Sequence, residues 1–295
     1  MKKKLTLLSV LLIAMTLVAC GGGNKKEAGA NAANAANATK ETTEAKSDIN
    51  VGFVTDEGGV NDQSFNQGVW EGLQKAIDEL GIKADYIESK DTKDYTPNLE
   101  TFADQDKNLI VGAGFKMGGA IAEAAAMYPE TNYAIVDVDV TAGPDGKVEA
   151  PSNLLGIMFR AQEPSFLVGY IAGMTTETNK VGFVGGQEGN IIWGFEYGYK
   201  AGVDYAAKEK GTDIEVLSQY VGDFSDAQKG KSITSTMYQN GADVVFHAAG
   251  GAGEGVIEAA KEADKWVIGV DRDQSDRAPE NVLTSAMKNG DVAVY

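Results

Sequence analysis

The sequence NVGFVTDEGGVNDQSFNQGVWEGLQKAIDELGIKADYI (residues 50–87) places a strand, an amphipathic helix and a second strand in succession. Asn50–Val54 is a short run with the length and the apolar, β-branched content of a strand. Four apolar residues then repeat at helical spacing: Val69, Leu73, Ile77 and Leu80. Gly81 follows at the position of a helix C-cap, and Ala84–Ile87 is the next strand-like run. This order predicts parallel strands joined by a crossover helix.

The same alternation continues along the chain. Ten runs have the length and composition of strands: Asn50–Val54, Ala84–Ile87, Leu109–Val111, Tyr133–Val138, Leu154–Phe159, Lys180–Val184, Ile214–Tyr220, Asp243–Ala248, Trp266–Val270 and Val282–Met287. Continuous apolar strands are typical of parallel sheets that helices cover on both faces. The motif VGFV opens two series, at 51–54 and at 181–184, and a helix predicted at about 163–174 separates them. The sequence therefore predicts an α/β fold with two doubly wound lobes that face each other across a cleft.

The two series also suggest lobe boundaries. We expect a first lobe over 48–160, a second over 161–274, and a return of 275–295 to the first lobe. The sequence stops at 291–295 in what reads as the first turn of a helix, so we expect the protein to continue beyond it.

The first 47 residues predict export and anchoring. Three lysines precede the uncharged run Leu5–Val18, and Cys20, the only cysteine, follows. This pattern is typical of a secretory signal peptide over 1–19 that ends in what resembles a bacterial lipobox. We expect acyl chains (palmitate) on Cys20 to hold the protein at the extracytoplasmic face of the cell membrane, with 20–47 as a flexible tether. The apolar run is shorter than the roughly 20 residues of a spanning helix.

Composition excludes several classes of function. The formal charge of −17 argues against nucleic acid and against electrostatic binding to anionic lipid. His247 is the only histidine and no second cysteine exists, which excludes disulfides and a zinc site of histidines and cysteines. The same shortage argues against Ser-His-Asp and Cys-His catalysis. We therefore expect a monomer that holds no metal and no cofactor and is not an enzyme.

Ligands of doubly wound sheets bind beyond the carboxyl ends of the strands, so we expect site residues there. The candidates are Asp56, Asn61, Asp62, Phe65, Gly114, Asp137, Phe195, Phe246, Gly250, Asp271 and Lys288. Phenylalanines offer faces for a flat ring, and aspartates accept hydrogen bonds from hydroxyl or N–H groups. Plainer roles exist for two of them, since Asp62 could simply cap a helix and Phe65 could extend its apolar stripe. The glycines after 249 fail the dinucleotide motif because Val256 replaces the third glycine.

Four stretches of the chain resemble the basic membrane lipoprotein family, also called purine nucleoside receptor-like, whose members are substrate-binding proteins of bacterial nucleoside ABC transporters. They are 58–66 (GGVNDQSFN), 222–230 (GDFSDAQKG), 241–262 (beginning GADVVF) and 269–274 (GVDRDQ). The resemblance covers residues 50–295. It implies a type I periplasmic-binding-protein fold with a hinge and a central cleft. It also implies a purine nucleoside ligand of the guanosine, inosine or adenosine type, and an ABC-transporter permease as partner.

The family pattern implies roles for individual residues. Phe65 matches the first of two phenylalanines that hold the base, and Phe195 and Phe246 both remain candidates for the second. The polar contacts fall at Asp56, Asn61 or Asp62, Asp137, Asp271 and Lys288. Trp193 stands where relatives commonly carry a basic residue, which implies a different base preference or affinity.

Three alternatives compete with this interpretation. The same fold could bind another small polar ligand, such as a sugar or a signalling molecule. An enzyme such as a nucleoside hydrolase or a glycosidase is disfavoured because histidines are scarce and no metal-binding aspartate cluster is evident; each candidate aspartate also follows a different strand. A surface adhesin or antigen without a transport role fits the charge and the tether equally well.

Overall fold

The computed structural model describes residues 47–141 and 150–295, which form one compact unit. The predicted signal peptide, Cys20 and nearly all of the predicted tether lie outside the described residues. Within the described ranges, none of the helices combines the length and the hydropathy that crossing a bilayer requires.

Strands and helices alternate along the described chain. The strands are β1 (Asn50–Val54), β2 (Lys83–Ile87), β3 (Leu109–Ala113), β4 (Asn132–Val136), β5 (Leu154–Ile157), β6 (Lys180–Gly185), β7 (Glu215–Tyr220), β8 (Val244–Ala248), β9 (Trp266–Asp271) and β10 (Val282–Met287). The helices are α1 (Phe65–Leu80), α2 (Tyr95–Ala103), α3 (Gly118–Met127), α4 (Gln162–Thr175), α5 (Asn190–Lys210), α6 (Ala227–Gln239), α7 (Gly253–Ala263) and α8 (Gly290–Val294).

The strands form two parallel sheets with the same topology. The order is β2-β1-β3-β4-β5 in the first sheet and, read from the opposite edge, β7-β6-β8-β9-β10 in the second. Every strand pairing between described residues is parallel. The predicted fold of two doubly wound lobes is confirmed, and the strand ends differ from the predicted ends by at most two residues.

The two VGFV motifs occupy equivalent places in the two sheets, on β1 and β6. Phe53 and Phe183 have no exposed surface. The glycine of each motif faces a large side chain from the helix layer. A Cβ on Gly52 would lie 2.5 Å from the Phe102 ring, and one on Gly182 would lie 2.7 Å from the sulfur of Met237. The motif thus combines an aromatic core residue with a gap that the covering helix fills.

The return to the first lobe occurs later than the boundary at 275 that the sequence analysis gives. β10 pairs with β9 and completes the second sheet, as β5 completes the first. The chain then crosses at Lys288 and forms α8, which packs against α1 of the first lobe. The strand-like pattern of 282–287 reveals β10, but a pattern does not say which sheet the strand joins.

Helices α4 and α5 pack closely in the second lobe because glycines face backbone atoms of the partner helix. A Cβ on Gly169 would lie 2.1 Å from the Tyr199 carbonyl oxygen, and one on Gly202 would lie 2.0 Å from the Phe166 carbonyl oxygen. Real Cβ atoms do not approach that closely, so the spacing of the two helices requires glycine at both positions.

We expect Gly202→Ala to lower the free energy of unfolding by about 2 kcal/mol, because the helices must separate to admit the methyl group. Urea unfolding measures this. Gly194→Ala on the same helix is the matched control, since its Cβ would meet only the Ala161 Cβ at 3.9 Å. The control should gain up to about 1 kcal/mol from helix propensity. Equal stability of the two variants would contradict this packing.

Candidate ligand-binding cleft

A cavity of about 520 Å³ lies between the carboxyl ends of the two sheets. Nine of the eleven predicted site residues line it: Asp56, Asp62, Phe65, Gly114, Asp137, Phe195, Gly250, Asp271 and Lys288. Both lobes contribute to the wall, and Lys288 comes from the chain that crosses between them.

The remaining two candidates lie away from the cavity. Asn61 is exposed. Phe246 is completely buried in β8, where its ring packs 5.6 Å from Phe183 and 5.2 Å from Tyr199, measured between centroids. Of the two rings that the sequence left open as the second stacking partner, only Phe195 lines the cavity. Trp193 is 38% exposed and is not part of the cavity wall.

The lining residues that are absent from the predicted set include Asn66, Phe115 and Phe224. Asn66 is the last residue of the 58–66 stretch, and Phe224 lies in the 222–230 stretch, so both family-like motifs contained the signal. Phe115 of the first lobe and Phe224 of the second meet edge to face, with ring centroids 6.1 Å apart. Phe65, Phe195 and Phe224 therefore give both lobes an aromatic wall.

An acidic group lies where α1 begins. The Asp62 carboxylate accepts backbone N–H bonds from Ser64, Asn66 and Gln67 at 2.9, 2.8 and 3.0 Å. It therefore caps the helix and lines the cavity at once. The Asn66 amide donates to Asp62 Oδ2 and to Asp56 Oδ1, at 2.9 and 2.6 Å. Burial raises the pKa of Asp62, although these hydrogen bonds oppose the shift.

One carboxylate oxygen of Asp56, Oδ2, takes no part in these hydrogen bonds. Its Oδ1 accepts from the Gly58 N–H at 2.9 Å as well as from Asn66, whereas Oδ2 lies beside Gly114. Gly114 has a φ of 99°, and a Cβ there would lie 2.9 Å from Oδ2. Burial raises the pKa of Asp56 to about 7. Near neutral pH the group can therefore donate or accept a hydrogen bond.

A cationic group lies among aromatic rings at the lobe crossing. The Lys288 ammonium forms a buried ion pair with Asp137 Oδ2. The same ammonium lies 4.5 Å from the ring centroid of Phe65 and 5.8 Å from that of Phe195. The pair joins the first lobe to the crossing chain, and it leaves Lys288 donors and Asp137 lone pairs for the hydroxyls of a ligand.

Asp137 and Asp271 occupy equivalent positions, at the ends of β4 and β9, and both adopt left-handed backbone conformations, with φ of 70° and 66°. This conformation strains the backbone of residues other than glycine, and such strain is often found at functional sites. Burial raises the pKa of Asp271 to about 6, although the Lys288 charge and the Ser64 hydroxyl oppose the shift. Among the described residues, no cluster of three or more histidine, cysteine, aspartate or glutamate side chains could hold a metal ion.

His247 lies behind the cavity wall on β8, with no exposed surface. Its Nε2 lies 3.1 Å from Gln274 Oε1, and its Nδ1 has no hydrogen-bond partner among the described residues. Burial lowers the pKa of His247 to about 4, although the hydrogen bond to Gln274 opposes the shift. Between about pH 4 and 6.5 the unfolded chain therefore binds a proton that the folded chain rejects.

The stability contributed by neutral His247 should thus be complete above pH 6.5 and should be lost as the pH falls toward 4. Relative to His247→Gln, we expect the protein to lose up to about 3 kcal/mol of unfolding free energy between pH 7 and pH 4. Asp56 and Asp271, whose pKa values are raised, act in the opposite direction, but both proteins share them. Chemical denaturation at each pH measures the difference, and parallel curves would refute the assignment.

Comparison with known proteins agrees with this geometry. The family model described as "ABC transporter substrate-binding protein PnrA-like" (Bmp) matches residues 49–295. A "CD4+ T-cell-stimulating antigen" of Listeria monocytogenes is 44% identical over 85% of this chain and 72% of its own length. An "ABC transporter nucleoside-binding protein BmpA" of Lactococcus lactis is 38% identical, over 93% of this chain and 75% of its own.

The solved structures include an ABC-transporter solute-binding protein of Aeropyrum pernix with a TM-score of 0.78 and 32% identity, over 84% of this chain and 69% of that one. The family resemblance and the type I periplasmic-binding fold are confirmed, and proteins of this class are substrate-binding components of transporters and not enzymes. The chain therefore belongs to the Bmp family of PnrA-like ABC-transporter substrate-binding proteins.

Proposed function

We propose that the protein captures a purine nucleoside, of the guanosine, inosine or adenosine type, and delivers it to an ABC-transporter permease. The observation that carries the proposal is the combination of aromatic walls from both lobes with carboxyl and ammonium groups at the cavity ends. Phe65 stands on the first lobe, and Phe195 and Phe224 on the second. A base can stack on such rings, and each base–aromatic contact contributes about 1–3 kcal/mol.

The polar groups suit the two parts of a nucleoside. Asp56, whose Oδ2 takes no part in the hydrogen bond with Asn66, can bind the edge of a base. Asp137, Asp271 and Lys288 can bind ribose hydroxyls, and a ligand without those hydroxyls would leave buried polar groups unpaired. Among the described residues of the wall, four carboxyl groups face a single ammonium, so a neutral nucleoside is favoured over a nucleotide that carries a phosphate.

Capture and release require closing and opening of the lobes, and no bond of the ligand changes. The described chain crosses between the lobes after β5 and after β10, and these connections would act as the hinge. Closure would bury the nucleoside and present a joint surface of both lobes to the permease. The nucleoside-binding name of the Lactococcus lactis relative supports this assignment.

The proposal includes the site of action. We propose that the signal peptide directs export and that lipid on Cys20 anchors a monomer to the extracytoplasmic face of the cell membrane, where the permease lies. Radiolabelled palmitate should then enter the wild-type chain expressed in a bacterium, and Cys20→Ser should abolish the incorporation.

Isothermal titration of the full chain carrying Cys20→Ser tests the ligand. The panel comprises guanosine, inosine, adenosine, guanine, D-ribose and guanosine 5′-monophosphate. We expect one site that binds at least one purine nucleoside more tightly than guanine, D-ribose or guanosine 5′-monophosphate. A site that prefers D-ribose would instead support the sugar-binding alternative, and incubation with inosine should release no free base.

A further inference from the structure

The end of β9 and the segment after it make three contacts with α1 and with the turn that precedes α1 in the other lobe. The Gln274 side-chain amide donates to the Gln63 carbonyl oxygen at 3.0 Å, and the Ser64 hydroxyl donates to Asp271 Oδ2. Arg272 forms an ion pair with Glu71 at 3.1 Å. Asp271 lines the cavity, and Ser64 directly precedes Phe65, which also lines it.

Gln274 is almost completely buried, with 1% of its surface exposed. Its Oε1 accepts from the Val270 backbone N–H at 2.9 Å, and its own backbone N–H donates to Ser285 Oγ at 3.1 Å. Both of these bonds stay within the second lobe. The bond to Gln63 crosses to the first lobe, so among the bonds of Gln274 it is the one that lobe opening would break.

The orientation of the Gln274 amide is fixed by its neighbours. Val270 N–H can only donate, so the atom facing it must be the oxygen; the Gln63 carbonyl can only accept, so the atom facing it must be the nitrogen. The oxygen also faces His247 Nε2, which must therefore carry the imidazole proton. Gly253 lies against that ring, because a Cβ there would be 2.1 Å from Cε1. The hydrogen bond from His247 thus fixes the position of the Gln274 amide.

The residue that accepts the Gln274 hydrogen bond also has an unusual backbone conformation. Gln63 has a φ of 57°, a left-handed conformation that is uncommon for residues other than glycine. Its neighbour Asp62 lines the cavity and caps α1. The hydrogen bond from Gln274 therefore attaches the second lobe to the turn that carries an acidic wall residue.

We propose that Gln274, held by His247, is a positioning residue for the closed cleft: its amide bonds the Gln63 carbonyl across the lobe boundary and slows release of the ligand. The part that concerns ligand release rests on the proposed nucleoside-binding function. Gln274 does not line the cavity, so it acts through lobe closure and not through contact with the nucleoside.

Stopped-flow kinetics with guanosine test the effect on release, in the full chain carrying Cys20→Ser. We expect Gln274→Met to raise the dissociation rate about tenfold, as for loss of one buried hydrogen bond, and to leave the association rate within about threefold. Gln187→Met is the matched control, because the Gln187 amide donates to the Gly222 carbonyl at 3.0 Å within the second lobe. A dissociation rate for Gln274→Met within twofold of that of the control would overturn the proposal.

Two further measurements need no nucleoside. Spin labels on cysteines at Asp78 and Lys208, exposed positions in different lobes, should report longer distances in Gln274→Met than in Gln187→Met. An unchanged distribution would overturn the positioning role even if no nucleoside bound, whereas failure of guanosine, inosine and adenosine all to bind the parent would overturn only the proposed function. Because His247 is the only histidine, its ¹⁵N spectrum in an untagged parent is unambiguous. A proton on Nε2 supports the arrangement, and a proton on Nδ1 or a charged ring at neutral pH overturns it.

Discussion

Lys288→Met is expected to weaken guanosine binding at least about 100-fold and to lower the free energy of unfolding by about 3 kcal/mol. The ammonium is paired with Asp137, and only 4% and 7% of the two side chains are exposed. Removing one member leaves a buried carboxylate without its counter-charge, which typically costs 3–5 kcal/mol. The ligand also loses the only cation that the structure describes in the cavity wall. Titration calorimetry and urea unfolding measure the two effects.

The double variant Asp137→Asn/Lys288→Met separates the two effects. It removes both charges, so we expect it to recover most of the lost stability, because no buried charge is left unpaired. Binding should stay weak, because the ammonium and the carboxylate that would hold the ribose are both gone. Recovery of binding together with stability would show that the pair is structural and has no direct role in the ligand site.

Phe65→Ala is expected to weaken guanosine binding by about 10- to 100-fold, because one base–aromatic contact contributes about 1–3 kcal/mol. The Phe65 ring lies at the start of α1, in the cavity wall and 4.5 Å from the Lys288 ammonium. The loss should be much smaller for D-ribose, which has no flat ring to stack. Calorimetric titration with both ligands gives the comparison.

Two variants control for the size and the location of the ring. Phe65→Leu retains apolar volume without an aromatic face, so it should lose most of the guanosine affinity that Phe65→Ala loses. Phe246→Leu removes a ring that is buried outside the cavity, so it should reduce stability and leave affinity unchanged. Equal losses of affinity for guanosine and D-ribose in Phe65→Ala would contradict stacking.

The fold was predictable because apolar runs and helical spacing report burial directly. Val51–Val54 and Val181–Val184 have equivalent places in two sheets of the same order, as their shared sequence suggests. The boundary at 275 was wrong because sheet membership depends on which neighbour a strand meets, and the β10 sequence carries no such information.

The candidate site was predictable where a residue directly follows a strand, as Asp137 does, since parallel strands end at one edge. Phe246 shows the limit of that reasoning. It lies inside β8, where alternate side chains point to opposite faces, and its ring enters the core. Phe224 lies in a loop after β7, and only the fold brings that loop against Phe115 of the other lobe. The left-handed backbone of Gln63, which directs its carbonyl toward Gln274, has no signature in the sequence at all.

We propose that a purine nucleoside binds between the two lobes, where its base stacks on aromatic rings and its ribose hydroxyls form hydrogen bonds with the aspartates and the lysine. A crystal structure of the protein grown with guanosine tests this binding mode most directly. We expect the base against the Phe65 ring and the ribose hydroxyls within hydrogen-bond distance of Asp137, Asp271 or Lys288. A purine nucleoside bound elsewhere on the protein, or a cleft that stays empty with guanosine, inosine and adenosine in turn at saturating concentration, would contradict the account.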